Sequence, residues 1–293
     1  MTIAQALTSA MALGLERLDA QLLLLHTLGR PQSERAWLLA HDRDEIAPGD
    51  EQQYLQLCAR RATGEPLAYI VGCKEFFGLN LKVDPRVLVP RPDTETLVEW
   101  ALELLSCHPG IDPGSMTSRI AGQAHDDRPC VIDLGTGSGA IALSIKKARP
   151  AAQVEAVDVS PGALEVAAGN ARALNLDVSM RLSSWLTGST VRYDLIVGNP
   201  PYVSAQDPHL AALTHEPLNA LAAGPDGLQE IRTIVAQAPT HLNPGGWLLL
   251  EHGWDQAEAV RALLRAAGFG AVASRRDLAG IERCSGGQRL ELG

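Results

Sequence analysis

The residues whose types and spacing could do chemistry are Asn199-Pro200-Pro201-Tyr202. They follow the apolar run 193–198, which reads as a buried parallel strand. Two prolines in succession cannot donate ladder hydrogen bonds, so the strand must stop there. Asn199 is then presented at the carboxyl end of a strand, where open α/β sheets bind ligands. Its amide oxygen can accept a hydrogen bond from a planar NH2 group, and the ring of Tyr202 can pack on the face of that group. Such a pair suits methylation of a nitrogen that is a poor nucleophile. Taken alone, the four residues read equally as a proline-stopped turn, because short motifs also occur by chance.

The upstream sequence adds a second element. Residues 131–134 form an apolar strand that runs into Gly135-Thr136-Gly137-Ser138-Gly139, after which 140–145 begin a helix. Glycines there allow a tight turn and close approach of backbone to a ligand. The pattern is G-x-G-x-G and not the G-x-G-x-x-G of dinucleotide binders. A further strand, 154–158, ends on Asp158. That acid lies about twenty residues past the glycine turn, the spacing at which a carboxylate meets ribose hydroxyls in βαβ nucleotide sites. Turn, acid and NPPY, each at a strand's end and in that order, are far more specific together than singly.

This set resembles the class I S-adenosylmethionine-dependent methyltransferases. Further segments narrow the resemblance to the HemK/PrmC family, which methylates a glutamine N5 in peptide chain release factors. They are Gly64-Glu65-Pro66-Leu67-Ala68-Tyr69-Ile70, Lys74-Glu75-Phe76-Phe77-Gly78, Leu88-Val89-Pro90-Arg91-Pro92-Asp93-Thr94-Glu95, Glu216-Pro217, Gly224-Pro225-Asp226-Gly227-Leu228 and Leu248-Leu249-Leu250-Glu251-His252-Gly253. The resemblance spans nearly the whole chain and is clearest over 64–253.

The resemblance implies a doubly wound, mostly parallel seven-stranded sheet with S-adenosyl-L-methionine as cofactor. It implies a helical substrate-recognition domain over 1–73, a β-hairpin linker over 74–91 and a methyltransferase domain over 92–293. Gly135, Thr136, Gly137, Ser138 and Gly139 would take the methionine portion, Asp158 the ribose, and Trp185 the adenine face unless it is a core residue. Asp133 either reaches the cofactor's ammonium or caps the turn. Asn199, Pro200 and Tyr202 are the candidate catalytic residues, with Pro201 they form the substrate contact, and Asn199 also touches the margin of the cofactor. The Asn199 oxygen and the Pro200 carbonyl would each accept one hydrogen of the glutamine amide. No strong base is needed, so His209, His215 and His252 are expected to be structural or exposed. His215, before Glu216-Pro217, stands where many family members carry an aromatic residue. Gly286-Gly287-Gln288 repeats the methylated motif of the release factors, and reads most simply as a turn before the last strand.

Composition bounds these readings. The length of 293 residues suggests about two domains. No segment has the apolar length of a membrane span, and no basic region followed by an apolar stretch opens the chain. Five scattered cysteines, without a C-x-x-C pair, indicate neither a disulfide framework nor a zinc site, and suit a reducing cytoplasm. No metal is expected. A formal net charge of −9 argues against tight, nonspecific binding to a phosphate backbone. This weighs against an adenine-N6 nucleic-acid methyltransferase, which would use the same NPPY logic on a flipped base. A noncatalytic cofactor-binding scaffold would not need both Asn199 and Tyr202.

The elements that must position these residues follow from periodicity. Residues 2–61 read as helical, with Leu18, Leu22, Leu25 and Leu28 in one stripe and Tyr54, Leu55 and Cys58 in another. Residues 76–89 read as a hairpin, and 95–105 as a helix capped by Asp93 or Thr94 after Pro92. Residues 108–129 read as a surface loop. Helices are expected at 161–174, 227–241 and 254–267, and a strand at 247–251 after Gly245-Gly246; the family resemblance implies a closing antiparallel hairpin, for which 271–275 and 289–292 are the candidates.

Overall fold

The computed structural model describes residues 1–106, 128–208 and 215–290. The loop expected over 108–129 falls almost wholly outside these residues, as do His209 and the end of the strand expected at 289–292. The chain divides into two compact units, Met1–Cys73 and Lys74–Gly293.

The first unit is a helical bundle of α1 (Ile3–Ala12), α2 (Arg17–Thr27), α3 (Arg35–Ala40), α4 (Pro48–Ala62) and α5 (Leu67–Val71). Thr2 and Gln5 form a reciprocal capping box that opens α1. The buried stripe differs from the expected one. Leu23, Leu24 and Leu25 are buried, whereas Leu18 is 45% exposed. On α4, Tyr54, Leu57 and Cys58 are buried and Leu55 only half so. A four-leucine run fits more than one helical phase, and the packing of α1, α3 and α4 selects among them.

The second unit begins with a hairpin shorter and earlier than expected, β1 (Cys73–Phe76) and β2 (Leu79–Lys82). Residues 83–89 are not strand. A 3-10 turn, Pro92–Thr94, leads directly into α6 (Glu95–Ser106), and no side chain caps it. Neither Asp93 nor Thr94 is therefore the cap, and Thr94 is buried instead. Then follow β3 (Cys130–Leu134), α7 (Ala140–Ala148), β4 (Gln153–Asp158), α8 (Pro161–Leu174), β5 (Ser179–Leu182), β6 (Tyr193–Gly198), α9 (Gln229–His241), β7 (Leu242–Glu251), α10 (Ala257–Ala266), β8 (Phe269–Arg276) and β9 (Glu282–Arg289).

These strands make a seven-stranded sheet in the order β5-β4-β3-β6-β7-β9-β8. The first five run parallel, while β9 is antiparallel to both β7 and β8. The chain winds outward from β3 through β4 to β5, then returns to the other side of β3 with β6. The gap between those two directions is the switch point at which such sheets bind ligands. Alternate residues of the central strands face opposite helical layers. Val131, Leu195, Val197 and Leu249 pack under α6 and α7, and Ile132, Leu134, Ile196 and Leu248 under α9. Each such burial contributes roughly 1.5–3 kcal/mol, so the strands through the site are the rigid part of the unit.

Two strand boundaries depart from the sequence reading. β7 begins at Leu242, so Gly245-Gly246 lies inside it. The final strand is Glu282–Arg289, which places Gly286-Gly287-Gln288 within a strand and not in a turn. A Cβ on Gly286 would lie 2.4 Å from Leu249 Cδ2 and 2.7 Å from the Leu248 carbonyl oxygen. Glycine is there for close packing of β9 on β7.

Candidate active site

A cavity of about 330 Å³ opens at the carboxyl ends of β3, β4 and β6, a size suited to a small-molecule ligand. Its walls include Gly135, Thr136, Gly137, Ser138, Asp158, Trp185, Asn199 and Pro201. Of the predicted residues, Gly139, Pro200 and Tyr202 are not part of this wall.

The glycine turn is held by the backbone. The Gly135 and Thr136 N–H groups both donate to the Val157 carbonyl at 2.9 Å, tying the turn to β4. Gly135, Gly137 and Gly139 have φ of 69°, 55° and 85°, a left-handed conformation that side chains disfavour. Gly139 caps α7 from this conformation, and a Cβ there would meet Leu143 Cδ1 at 2.9 Å.

Asp133 caps the turn. Its Oδ2 accepts from Thr136 Oγ1 at 2.7 Å and from the Ala142 N–H at 3.2 Å, and the residue is fully buried behind the cavity wall. Burial pushes its carboxyl up to about 7, although the Thr136 and Ala142 bonds oppose the shift. Asp158, by contrast, faces the cavity. Its Oδ2 accepts from the Gly137 N–H and its Oδ1 from the Ser160 N–H, both at 2.9 Å. Carboxylate oxygens have further lone pairs for hydroxyls of a ligand.

Trp185 adopts φ 51°, unusual for a bulky residue. Its indole Nε1–H donates to Glu230 Oε2 at 2.8 Å, and its ring edge lies against Gly135, where a Cβ would approach to 3.3 Å. The ring edge therefore borders the glycine turn. Glu230, in the first turn of α9, also lines the cavity. No local motif marked it.

Asn199 follows β6 directly with its NH2 turned toward the buried Thr94: Nδ2 donates to Thr94 Oγ1 at 3.3 Å. That leaves the amide oxygen for a ligand in the cavity. Nearby, Glu251 Oε1 accepts from the Tyr202 hydroxyl at 3.3 Å. Tyr202 thus braces Glu251 and packs on the core. Its backbone oxygen accepts from Gln256 Nε2 at 3.0 Å. Burial, and then the Glu251 charge, push its phenol well above the ordinary range. Arg91 lines the cavity and forms an ion pair with the buried Glu216.

Arg91, Thr94, Glu216 and Glu251 belong to segments that carried only a family resemblance in the sequence, and sequence reading assigned none of them a role in the site. Their signal was their presence in those segments, not any local pattern. His252 is fully buried, with Nε2 at 2.7 Å from Ser285 Oγ and Nδ1 at 2.9 Å from the Gly253 oxygen, and burial lowers its pKa. It is structural, and His215 is partly buried. Among the described residues, no cluster of three or more His, Cys, Asp or Glu could hold a metal ion.

Comparison with known proteins identifies the family of the chain. A family described as "Methyltransferase small domain" matches residues 105–266, and one described as "PrmC N-terminal domain" matches residues 2–72. The chain is 50% identical over 278 residues to "Release factor glutamine methyltransferase" of Bordetella pertussis, covering 94% of this chain and 95% of that one. It is 45% identical over 289 residues to the protein of the same name from Xylella fastidiosa, covering 97% of each. Among solved structures, the human Mettl16 catalytic domain in complex with an RNA hairpin aligns with TM-score 0.55 at 16% identity, over 86% of this chain and 85% of that one. The Thermus thermophilus 16S rRNA N2 G1207 methyltransferase, in complex with AdoMet and guanosine, aligns with TM-score 0.52 at 19% identity, over 74% of this chain and 49% of that one. At such identity these two structures speak for the fold alone.

Proposed function

This chain belongs to the release factor glutamine methyltransferase family, and from that premise we propose that Asn199 holds the side-chain amide of a release-factor glutamine for methylation on N5. The observation that carries this reading is the Asn199 hydrogen bond to Thr94, which commits the NH2 and leaves the amide oxygen toward the cavity. A glutamine amide nitrogen is not basic, because resonance ties up its lone pair. It acquires positive charge as it reacts. The Asn199 oxygen and the Pro200 carbonyl, each accepting one amide hydrogen, stabilise that charge more than they stabilise the neutral ground state. The proton shed afterwards goes to water, so no histidine is required.

The cofactor is S-adenosyl-L-methionine, which supplies an electrophilic methyl group on a sulfonium. The residues present fit it. The left-handed Gly135 and Gly137 carry no Cβ between the backbone and the methionine portion, and the Asp158 carboxylate on the cavity wall could accept from ribose hydroxyls. The Trp185 ring beside Gly135 offers a flat apolar face for the adenine. Gly135, Thr136, Gly137, Ser138, Asp158 and Trp185 would hold the cofactor, with Gly139 shaping the turn behind them.

The substrate is a class I release factor, through its Gly-Gly-Gln loop, and nucleic acid is not. The helical unit Met1–Cys73 would recognise the body of the factor. One glutamine side chain buries too little surface for a specific protein complex. The deciding experiment incubates the enzyme with methyl-labelled cofactor and release factor, a Gly-Gly-Gln peptide, or nucleic acid. Label on the glutamine of the factor, with weaker labelling of the peptide, is expected. Label on nucleic acid, or peptide labelled as efficiently as the factor, would overturn the assignment.

A further inference from the structure

We propose that Gln256 is a positioning residue for methyl transfer: its side-chain amide clamps the 199–202 loop from behind, so that the Asn199 oxygen and the Pro200 carbonyl meet the substrate amide. The proposal rests on the reading of Asn199 and Pro200 above.

Three backbone segments meet on this one side chain. Gln256 lies between β7 and α10, as the residue that precedes the first turn of α10. Its Nε2 donates to the Tyr202 carbonyl at 3.0 Å and to the Asp226 carbonyl at 3.3 Å. Its Oε1 accepts from the Gly253 N–H at 2.8 Å. The chain leaving β6, the chain entering α9 and the chain leaving β7 are thereby tied at one point.

A side-chain amide has two N–H donors and an acceptor oxygen. All the partners here are backbone groups, two carbonyls and one N–H, whose roles cannot exchange. The Gln256 amide therefore has a single orientation, with its NH2 toward both carbonyls.

Other contacts close on the same place. Gly227 is left-handed at φ 70°, and a Cβ on it would lie 2.2 Å from the Tyr202 oxygen and 2.7 Å from Gln256 Nε2. The chain there passes directly over the bonded carbonyl, an approach that only glycine allows. The Val203 N–H donates to the Leu221 carbonyl and the Ala223 N–H to the Val203 carbonyl, both at 2.9 Å. The Tyr202 hydroxyl reaches Glu251 at the end of β7. Tyr202 is thus fixed at its ring, at its carbonyl and at the residue that follows it.

The clamp acts on the site through the loop. Pro200 and Pro201 each have φ locked at about −65°, which leaves fewer torsions to absorb a shift. A displacement of the Tyr202 carbonyl is therefore passed back toward Pro200 and Asn199. Gln256 is not part of the cavity wall. The glycine turn and Asp158 follow β3 and β4, on the other side of β6 from β7. The effect of Gln256 falls on the substrate contacts and spares the cofactor.

The test compares full-length wild type, Gln256→Met and Gln256→Glu, with Asn199→Ala as reference. Gln256→Met keeps the length of the side chain and loses all three bonds. Gln256→Glu keeps an acceptor for Gly253 but turns a second acceptor toward the two carbonyls. Calorimetry gives cofactor affinity and the number of cofactor sites. Single-turnover methylation at saturating cofactor is counted per cofactor site, on intact release factor and on a Gly-Gly-Gln peptide. Each Gln256 variant should lose about 10- to 100-fold in rate, as expected for a misplaced contact. Cofactor affinity should be unchanged. Factor and peptide should lose the same fold, because the loop that holds the glutamine has moved and not a docking surface. A wild-type rate per site in either variant would overturn the proposal. So would a loss of cofactor affinity that matches the loss of rate, or a loss confined to the intact factor. Wild-type turnover in Asn199→Ala would instead overturn the underlying reading of Asn199.

Discussion

Asp158 Oδ2 accepts the backbone N–H of Gly137 at 2.9 Å, so the acid that ends β4 also holds the glycine turn that follows β3. One carboxylate therefore ties β4 to the glycine turn at the proposed cofactor site. Asp158→Ala should weaken cofactor binding by roughly 1.5–3 kcal/mol, the worth of hydrogen bonds to a charged group. Asp158→Asn, which keeps an acceptor for Gly137, should lose less. Calorimetry with the cofactor or its demethylated product checks both. Equal affinity in the wild type and Asp158→Ala would refute the ribose assignment.

Glu230 fixes the tilt of the Trp185 ring through the indole N–H at 2.8 Å. Trp185→Phe keeps an aromatic face but cannot donate, and Glu230→Leu leaves the indole N–H without its acceptor. Each should weaken cofactor binding by about 0.5–1.5 kcal/mol, the usual net value of such a bond. The double variant should cost less than the sum of the singles, because one interaction is removed twice. Strict additivity in calorimetry would show that the two side chains act separately.

Asp133 should make the protein less stable as pH rises toward neutrality. Its carboxyl is raised from 3.8 to about 7, so between those values the folded chain holds a proton that the unfolded chain releases. The stability that proton contributes is complete below about pH 4 and is lost as pH rises through about 7. Asp133→Asn has no such titration, and its carbonyl can accept the same two bonds. The variant should gain on wild type between about pH 5 and about pH 8, by roughly 1–3 kcal/mol. Urea midpoints at the two pH values measure the gain. A difference that stays constant, or that favours wild type at the higher pH, would contradict the assignment.

Gly286→Ala should destabilise the sheet by roughly 1–3 kcal/mol, the usual cost of overpacking. The Leu248 carbonyl, 2.7 Å from the new methyl, belongs to the β7 backbone and cannot swing aside. Thermal unfolding checks this. Gln288, the last residue of the Gly-Gly-Gln run, donates Nε2–H to the Gly245 carbonyl at 2.9 Å within paired strands. Its amide is committed, so mass spectrometry after incubation with cofactor should find no methyl group on Gln288.

The sequence by itself determined the local stops. Apolar runs ended by Gly135, Asp158 and Pro200 gave β3, β4 and β6, because each stop is a property of one residue type: a left-handed turn, a terminal charge, a missing donor. β6 matched its expected bounds, and α8 did too. Edge strand β5, four residues long and only partly buried, carried no pattern strong enough to read. The tertiary structure decided what surrounds Asn199. Thr94 lies 105 residues from Asn199 in sequence and Glu251 is 49 residues from Tyr202, yet a hydrogen bond joins each pair. Those contacts depend on β7 lying beside β6 and on the start of α6 reaching the ends of both strands. The same applies to Glu230 against Trp185, and to the glycines of β9. Periodicity records which face of an element is buried, but not which other element covers it. Hydrogen-bond partners drawn from separate elements are therefore settled only when the sheet order is.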